Sequence, residues 1–595
     1  MWEVNFTDRR RHIIYSSKKK KKKKKKKAPE MAGRDRDWDF LLRTISNSAR
    51  DSNFAADPAA DPSLLHSVKK LYELCKAENS EDLVARIYPQ INKLFQRAVA
   101  SMSQSRTSYG LLLLAILQFY LDFGDVVLHD ADPSLRTFFR SCLSREFADS
   151  VVAEATLDFL NANKKKLLVS FPTLLPQFFP LLLKLIAWNG EKLEKSFRQI
   201  FPALISPGSF LPMFLSLMDL PVLVVALEKV ERTSGSLIGS SIASIQQSTA
   251  PKMLLDLMDE AYTGSTIGDG EADSESEDNN TIDVADPLFL DLLKDENDGL
   301  TERHWTSPGM TAALQAAINS PQSDRLKQVL NIAPRLLDVY FAIALREVND
   351  SIICALIPQL MSRVATTFPD KTFSHKVQKR LLEFMLSSFQ RSPNFVALLK
   401  KPIMDRLGEA YDSPAKTELA LQLCWAMGEY AGGGPSQKDA ARELFENLEL
   451  LLYENLSSSR LGLRQESNIG ETSRCSSQSR LLCFVVTAIA KLATVHRELL
   501  PRARVSLGKV ARSRISDVRV WQRARDYLGL MTEPAISLSV LGPSQPSDEN
   551  MQSPGIVDWS KGIRKMTAHV PFYILRDQEG PPFHDFSFSD ILPAR

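Results

Sequence analysis

Glu418-Leu-Ala-Leu-Gln-Leu-Cys-Trp-Ala-Met-Gly-Glu-Tyr430 is the stretch on which the fold turns. Its spacing predicts one helix. Glu418, Gln422 and Glu429 project within about 40° of one another, while Leu419, Leu421, Leu423, Cys424 and Met427 cover most of the remaining surface. A helix with so narrow a polar stripe is expected between neighbours on several sides. Trp425 falls inside the stripe, so another group should cover its ring. Gly428 costs a helix about 1 kcal/mol relative to Ala. That cost points to a close backbone approach by another helix, which a Cβ would block. Gly432-Gly-Gly-Pro435 then ends the helix, because glycine suits the left-handed cap and proline cannot continue the turn. The pattern is that of the packed centre of a helical stack, with no chemistry in it.

The same habit runs outward in both directions. Asp61-Pro62 opens a helix, and Leu64, Leu65, Val68, Leu71, Tyr72 and Cys75 follow at helical spacing. Asn79-Ser80 breaks it, and Leu83, Ile87, Ile91, Leu94, Phe95 and Ala98 repeat the stripe. The unit recurs through Leu174–Trp188 and Leu193–Ile205, with similar openings at Phe171-Pro172 and Phe201-Pro202. Further on, Pro308–Asn319, Gln322–Leu330, Pro334–Arg346, Ser436–Leu456, Arg480–His496 and Leu499–Met531 continue it, with a Ser-rich loop at Ser457–Ser479. Degenerate helical pairs at a period of about 30–47 residues are the signature of an α-solenoid. The expected fold is therefore all-α, a HEAT/armadillo-like solenoid of helical pairs interrupted by an acidic flexible loop. The expected organisation is a lysine-rich leader (1–30), a first solenoid half (31–262), an acidic linker (263–305), a second half (306–540) and a Pro/Ser-rich tail (541–595). One short strand, Val570–Leu575, is expected in that tail.

Composition sets the class. The chain has 595 residues, 44% apolar and 24% charged, which is too long for one compact core. Its formal net charge is +3, but residues 1–30 hold thirteen basic and three acidic residues. Without them 61 basic groups face 68 acidic ones, a balance of −7, so the folded part lacks a nucleic-acid-binding charge. The ten lysines at 18–27 read either as a nuclear-import or phosphate-binding tail or as a translated adenine-rich leader ahead of Met31. In both readings like charges keep the run unfolded. The six cysteines form no CxxC pair and sit mostly in apolar helical context, as reduced core thiols do. The apolar runs Leu111–Leu121, Leu167–Trp188 and Phe210–Leu227 are too short or are interrupted by prolines, Lys184 or Asp219, so buried helices are expected.

Catalytic signatures are absent from the sequence. There is no GxxxxGK[ST] phosphate loop, GxGxxG fingerprint, HExxH pair, GxSxG elbow or EF-hand loop. The eight histidines are scattered. The expectation is a protein with no cofactor, no metal and no enzymatic activity. Two binding signals remain. Arg502, Arg504, Lys509, Arg512, Arg514, Arg519, Arg523 and Arg525 form a run that reads as a cationic ridge toward an anionic membrane or an acidic partner, or as a solvated face. Leu254-Leu-Asp-Leu-Met258 reads as a clathrin-binding box or as a buried helix face.

Two stretches carry a family resemblance. Trp425-Ala-Met-Gly428-Glu429-Tyr430 matches the W-x-x-G-E-Y pattern of the large subunits of adaptor-protein vesicle coats. The tract Ser170-Phe-Pro172 through Phe179, Leu185-Ile-Ala-Trp188-Asn189 and Met218-Asp-Leu-Pro221 resembles the zeta subunit of the fifth adaptor-protein complex, and the opening from Met31 resembles plant members. The resemblance spans roughly 150–535. It implies a scaffold subunit of a cytosolic heterotetramer with beta-, mu- and sigma-type subunits. It also implies association with spatacsin- and spastizin-like proteins, peripheral on late endosome and lysosome membranes, and no nucleic acid. Trp425, Gly428, Glu429 and Tyr430 carry over as packing residues only. A rival reading, a HEAT-repeat scaffold in a nuclear import or DNA-repair assembly, rests on the lysine run and the cationic ridge.

Overall fold

The computed structural model describes residues 28–48, 62–102, 108–234, 238–245, 287–298, 308–319, 323–364, 366–412, 416–431, 438–462, 470–513 and 518–542. The lysine run, the Leu254–Met258 box, the acidic stretch, Gly432–Pro435, Arg514 and the tail beyond 542 lie outside the described residues. Among the described residues every regular element is helical and there is no strand. The chain forms two compact units, residues 1–142 and 143–595.

In the first unit α1 (Ala28–Ser48), α2 (Pro62–Glu78), α3 (Glu81–Ser101), α4 (Gly110–Val127) and α5 (Ala131–Thr137) follow one another. Ser80 starts α3 by accepting the Leu83 N–H at 3.4 Å, and Leu83, Ile87, Ile91, Leu94, Phe95 and Ala98 make its buried stripe. That stripe lies against α4, which is apolar around most of its circumference and correspondingly buried.

The second unit opens with α6 (Ser150–Ala162), α7 (Lys164–Ser170), α8 (Phe179–Asn189), α9 (Glu191–Ile200), α10 (Phe210–Met218) and α11 (Leu220–Ser234). Beyond the acidic stretch come α12 (Pro287–Leu292), α13 (Pro308–Asn319), α14 (Asp324–Glu347), α15 (Asp350–Val364) and α16 (Lys371–Arg391). The last members are α17 (Lys400–Asp412), α18 (Thr417–Tyr430), α19 (Lys438–Gly462), α20 (Gly470–Val495), α21 (Leu500–Arg512), α22 (Val518–Leu530) and α23 (Pro534–Leu541). From α14 onward the pairing is regular. Helices α14, α16, α18, α20 and α22 each pack on the next, while α15, α17, α19 and α21 pack beside them. Members of the first row begin at Asp324, Lys371, Thr417, Gly470 and Val518, steps of 47, 46, 53 and 48 residues, at or just above the long end of the ~40–47-residue HEAT and armadillo repeat. This is an all-α solenoid of helical pairs.

Some boundaries differ from the sequence expectation. Gln322–Leu330 and Pro334–Arg346 are one helix, α14, with Pro334 inside it. Burial along Leu326–Ala344 outweighs the one backbone hydrogen bond that proline removes. The expected Ser-rich loop at Ser457–Ser479 is largely helical, because α19 runs to Gly462 and α20 starts at Gly470. By length and composition Gly110–Val127, Asp324–Glu347 and Gln478–Val495 are able to cross a membrane, but 61%, 78% and 78% of these windows are buried in helix packing.

Candidate functional site

The centre of the second row is the crossing of α18 and α20. Leu419–Glu429 of α18 is buried on every side, as is Leu481–Ala493 of α20. A Cβ on Gly428 would stand 3.1 Å from Cα of Ala488 and 3.2 Å from Cδ of Lys491, so the two backbones approach where glycine leaves room. Lys491 is fully buried and donates to Glu429, which is also buried. Its ammonium lies 4.3 Å from the centre of the Trp425 ring, so the group that covers the tryptophan is a cation. Trp425, Gly428 and Glu429 thus meet one partner, Lys491. Tyr430 closes the helix half-buried, and burial, with the Glu429 charge, raises its phenol above the ordinary range. Burial raises the Cys424 thiol likewise, and the cysteines at 75, 142, 354, 424 and 483 are free thiols.

A second set of buried charges joins the two sides of the acidic stretch. Asp219, between α10 and α11, accepts from Arg363 of α15, with both side chains almost wholly buried. Lys184 of α8 donates to Asp295 at 2.7 Å and to the Leu293 carbonyl. Tyr340 of α14 donates to the Phe210 carbonyl at 2.9 Å and stacks on the Phe210 ring at 4.8 Å. Arg325 lies 3.6 Å from the centre of the Trp188 ring and pairs with Glu231 at 2.8 Å. Asn189 holds the Phe147 and Leu185 carbonyls at 3.1 and 3.0 Å. Asp338 takes two bonds from Arg380, at 2.5 and 3.0 Å, yet burial still raises its carboxyl above the usual range against that pull. Breaking one partner of the Asp219–Arg363 pair, in which both charges are buried, costs about 3–5 kcal/mol, because the other charge is stranded in a medium that solvates it poorly; the Arg325–Glu231 pair is partly exposed and is worth far less. These contacts fix which helix sits beside which.

The sequence signal for this second set was present but carried a different meaning. Lys184 and Asp219 stood out only as interruptions of apolar runs. Lys491, in Leu481-Leu-Cys-Phe-Val-Val-Thr-Ala-Ile-Ala-Lys491, is the same kind of signal and was not singled out. A charge inside an otherwise apolar helix marks a buried partner elsewhere.

Of the eight cationic positions, Arg514 lies outside the described residues, and the other seven turn to several different neighbours. Arg502 faces α19, pairing with Glu446 and Glu449 at 2.7 Å each. Lys509 points the same way, donating to the Tyr453 hydroxyl at 3.1 Å. Arg504 turns instead to the Met531 carbonyl at 2.5 Å. On α22, Arg523 lies over Tyr527 and Arg525 over Trp521. Arg512, Arg519 and Arg525 are exposed. The run spreads around two helices because residues two apart on a helix, such as Arg502 and Arg504, point to opposite sides. Among the described residues no group of three or more His, Cys, Asp or Glu side chains is placed to hold a metal.

Comparison with known proteins gives two family matches. A family described as an AP-5 complex subunit in vesicle trafficking matches residues 59–184. The C-terminal TPR repeats of AP-5 complex subunit zeta-1 match residues 278–554. The chain is 23% identical over 494 residues to AP-5 complex subunit zeta-1 of Mus musculus, covering 81% of this chain and 55% of the relative. It is 24% identical over 447 residues to the Homo sapiens subunit, covering 73% of this chain and 50% of the relative. The chain spans about half the length of these curated relatives.

Proposed function

We propose, from the matches to the AP-5 complex subunit zeta-1 family, that the chain is the large scaffold subunit of an adaptor complex in vesicle-mediated protein transport. The observation that carries this reading is the regular double row from α14 to α22, pinned at its centre by Gly428 and the buried Glu429–Lys491 pair. Such a row offers long side surfaces along which one partner can be gripped over several repeats. Its proposed activity is binding, not bond chemistry. The proposed partners are beta-, mu- and sigma-type adaptor subunits and spatacsin- and spastizin-like proteins. The proposed place is the cytoplasmic face of late endosomes and lysosomes, for cargo sorting and retrieval. The exposed Arg512, Arg519 and Arg525 are proposed to meet an acidic partner face.

Affinity purification of the chain from cells tests this. Mu- and beta-type adaptor subunits are expected in the eluate. Recovery of nuclear import or DNA-repair factors in their place would overturn the reading. The helical rows alone suit either kind of scaffold, and the family matches favour the vesicle adaptor.

A further inference from the structure

Helix α7, Lys164–Ser170, joins α6 to the buried tract that begins at Leu174. Its sequence is Lys-Lys-Lys-Leu-Leu-Val-Ser. Leu167 is buried and anchors the turn. Leu168 is 40% exposed and Val169 is 84% exposed, so two consecutive aliphatic side chains face water. Lys165 is exposed and precedes them by three and four residues, which puts all three on one face of the helix. Pro172 and Thr173 beyond them are exposed too. Lys164 is committed inward, donating to the Gln199 carbonyl at 2.7 Å, with Glu347 as the nearby acid. No Asp or Glu occurs between Phe159 and Gly190.

Two aliphatic side chains offer far less area than the ~800 Å² per partner that a stable protein interface buries. They are sufficient, however, to enter the headgroup boundary of a bilayer, where insertion beside a lysine gains both apolar burial and attraction to anionic lipid. The stem of Lys165 can lie along that boundary with its ammonium in the headgroups. We propose that the outer face of α7, formed by Lys165, Leu168 and Val169, is a membrane-contact site that inserts into an anionic lipid surface. The inference rests on reading the chain as a peripheral coat subunit, and it assigns the lipid contact to one helix.

Sedimentation of the full 595-residue chain with phosphatidylcholine vesicles, with and without phosphatidylserine, tests it. The unmodified chain is expected to bind the phosphatidylserine vesicles more tightly. The double variant Leu168→Ser/Val169→Ser, and separately Lys165→Glu, are each expected to lose about tenfold in that affinity. Neither is expected to shift the thermal midpoint, because the altered side chains face water. Three results would each overturn the proposal: no vesicle binding by the unmodified chain, equal binding by both variants, or equal binding with and without phosphatidylserine. Loss of adaptor-subunit recovery in the double variant, with vesicle binding intact, would assign the face to a protein partner instead. Recovery of adaptor subunits by the unmodified chain is a separate readout, so failure of the coat reading and failure of the lipid contact are distinguishable.

Discussion

At Gly428 the constraint is a few tenths of an ångström. A methyl there meets Ala488 Cα at 3.1 Å, and the branched carbons of valine would reach further into α20. Gly428→Val is expected to lower stability by about 1–3 kcal/mol in urea titrations, the usual cost of overpacking. Gly428→Ala should cost less, because alanine returns about 1 kcal/mol of helix propensity. If valine is tolerated as well as alanine, the two helices are not in close approach. Lys491→Met should cost more, about 3–5 kcal/mol, by leaving Glu429 buried without its cation. Adding Glu429→Leu to Lys491→Met should restore part of that loss, and additive losses would show the pair to be uncoupled. Trp425 and Gly428 were legible in the sequence because each breaks a local rule: a large ring in a polar stripe, a glycine inside a helix. Lys491 was not legible as their partner, because it lies 66 residues beyond Trp425 and 63 beyond Gly428, and no local spacing joins them.

Elements were legible as helices wherever an apolar stripe repeats, and their ends were not. Pro334 reads as a helix start, yet it lies within α14, because the sequence cannot show that Tyr340, Phe341 and their neighbours are buried on the far side of it. The junction of α8 and α9 shows the opposite case, a boundary set by one residue. Gly190 has φ +66° and ψ −139°, a conformation almost reserved for glycine. A Cβ there would stand 1.9 Å from Oε1 of Gln328, which accepts the Glu191 N–H at 3.1 Å. Gly190→Ala is therefore expected to cost about 1–3 kcal/mol, partly from φ and partly from the displaced glutamine. In a Gln328→Ala background the substitution should cost less. An equal cost in both backgrounds would leave backbone strain as the whole effect.

Across the whole molecule, buried phenols link stability to pH. Burial pushes Tyr527 up to about 12 and raises Tyr340 and Tyr430 as well, while Cys75 in the first unit goes up to about 11. The unfolded chain releases these protons earlier, a phenol near pH 10 and a thiol near pH 9. In that range the folded state therefore binds more protons, and stability falls as pH rises. Urea midpoints should be insensitive to these groups below about pH 8 and decline steadily toward pH 12. The tyrosinate absorbance contributed by Tyr340 and Tyr527, read as the difference from Tyr340→Phe and Tyr527→Phe variants, should rise only as the protein unfolds; its appearance in the native state would show that these phenols are accessible. At this scale the repeating helical unit was legible in the sequence. The grouping of elements was not, since a polar acidic stretch looks like a border while Asp219–Arg363 and Lys184–Asp295 connect helices on both sides of it.

Those connections change what covalent continuity means for this chain. Gln177 receives the Asn297 N–H at 2.7 Å, and Leu181 donates to the Asp295 carbonyl at 3.3 Å, so the strand of chain arriving from the acidic stretch is sewn to α8 as soon as it re-enters. Both ends of the stretch between 245 and 287 are therefore clasped by the same body. A cut there would divide the polypeptide into two pieces, while the described helices on either side would still be held together by these contacts.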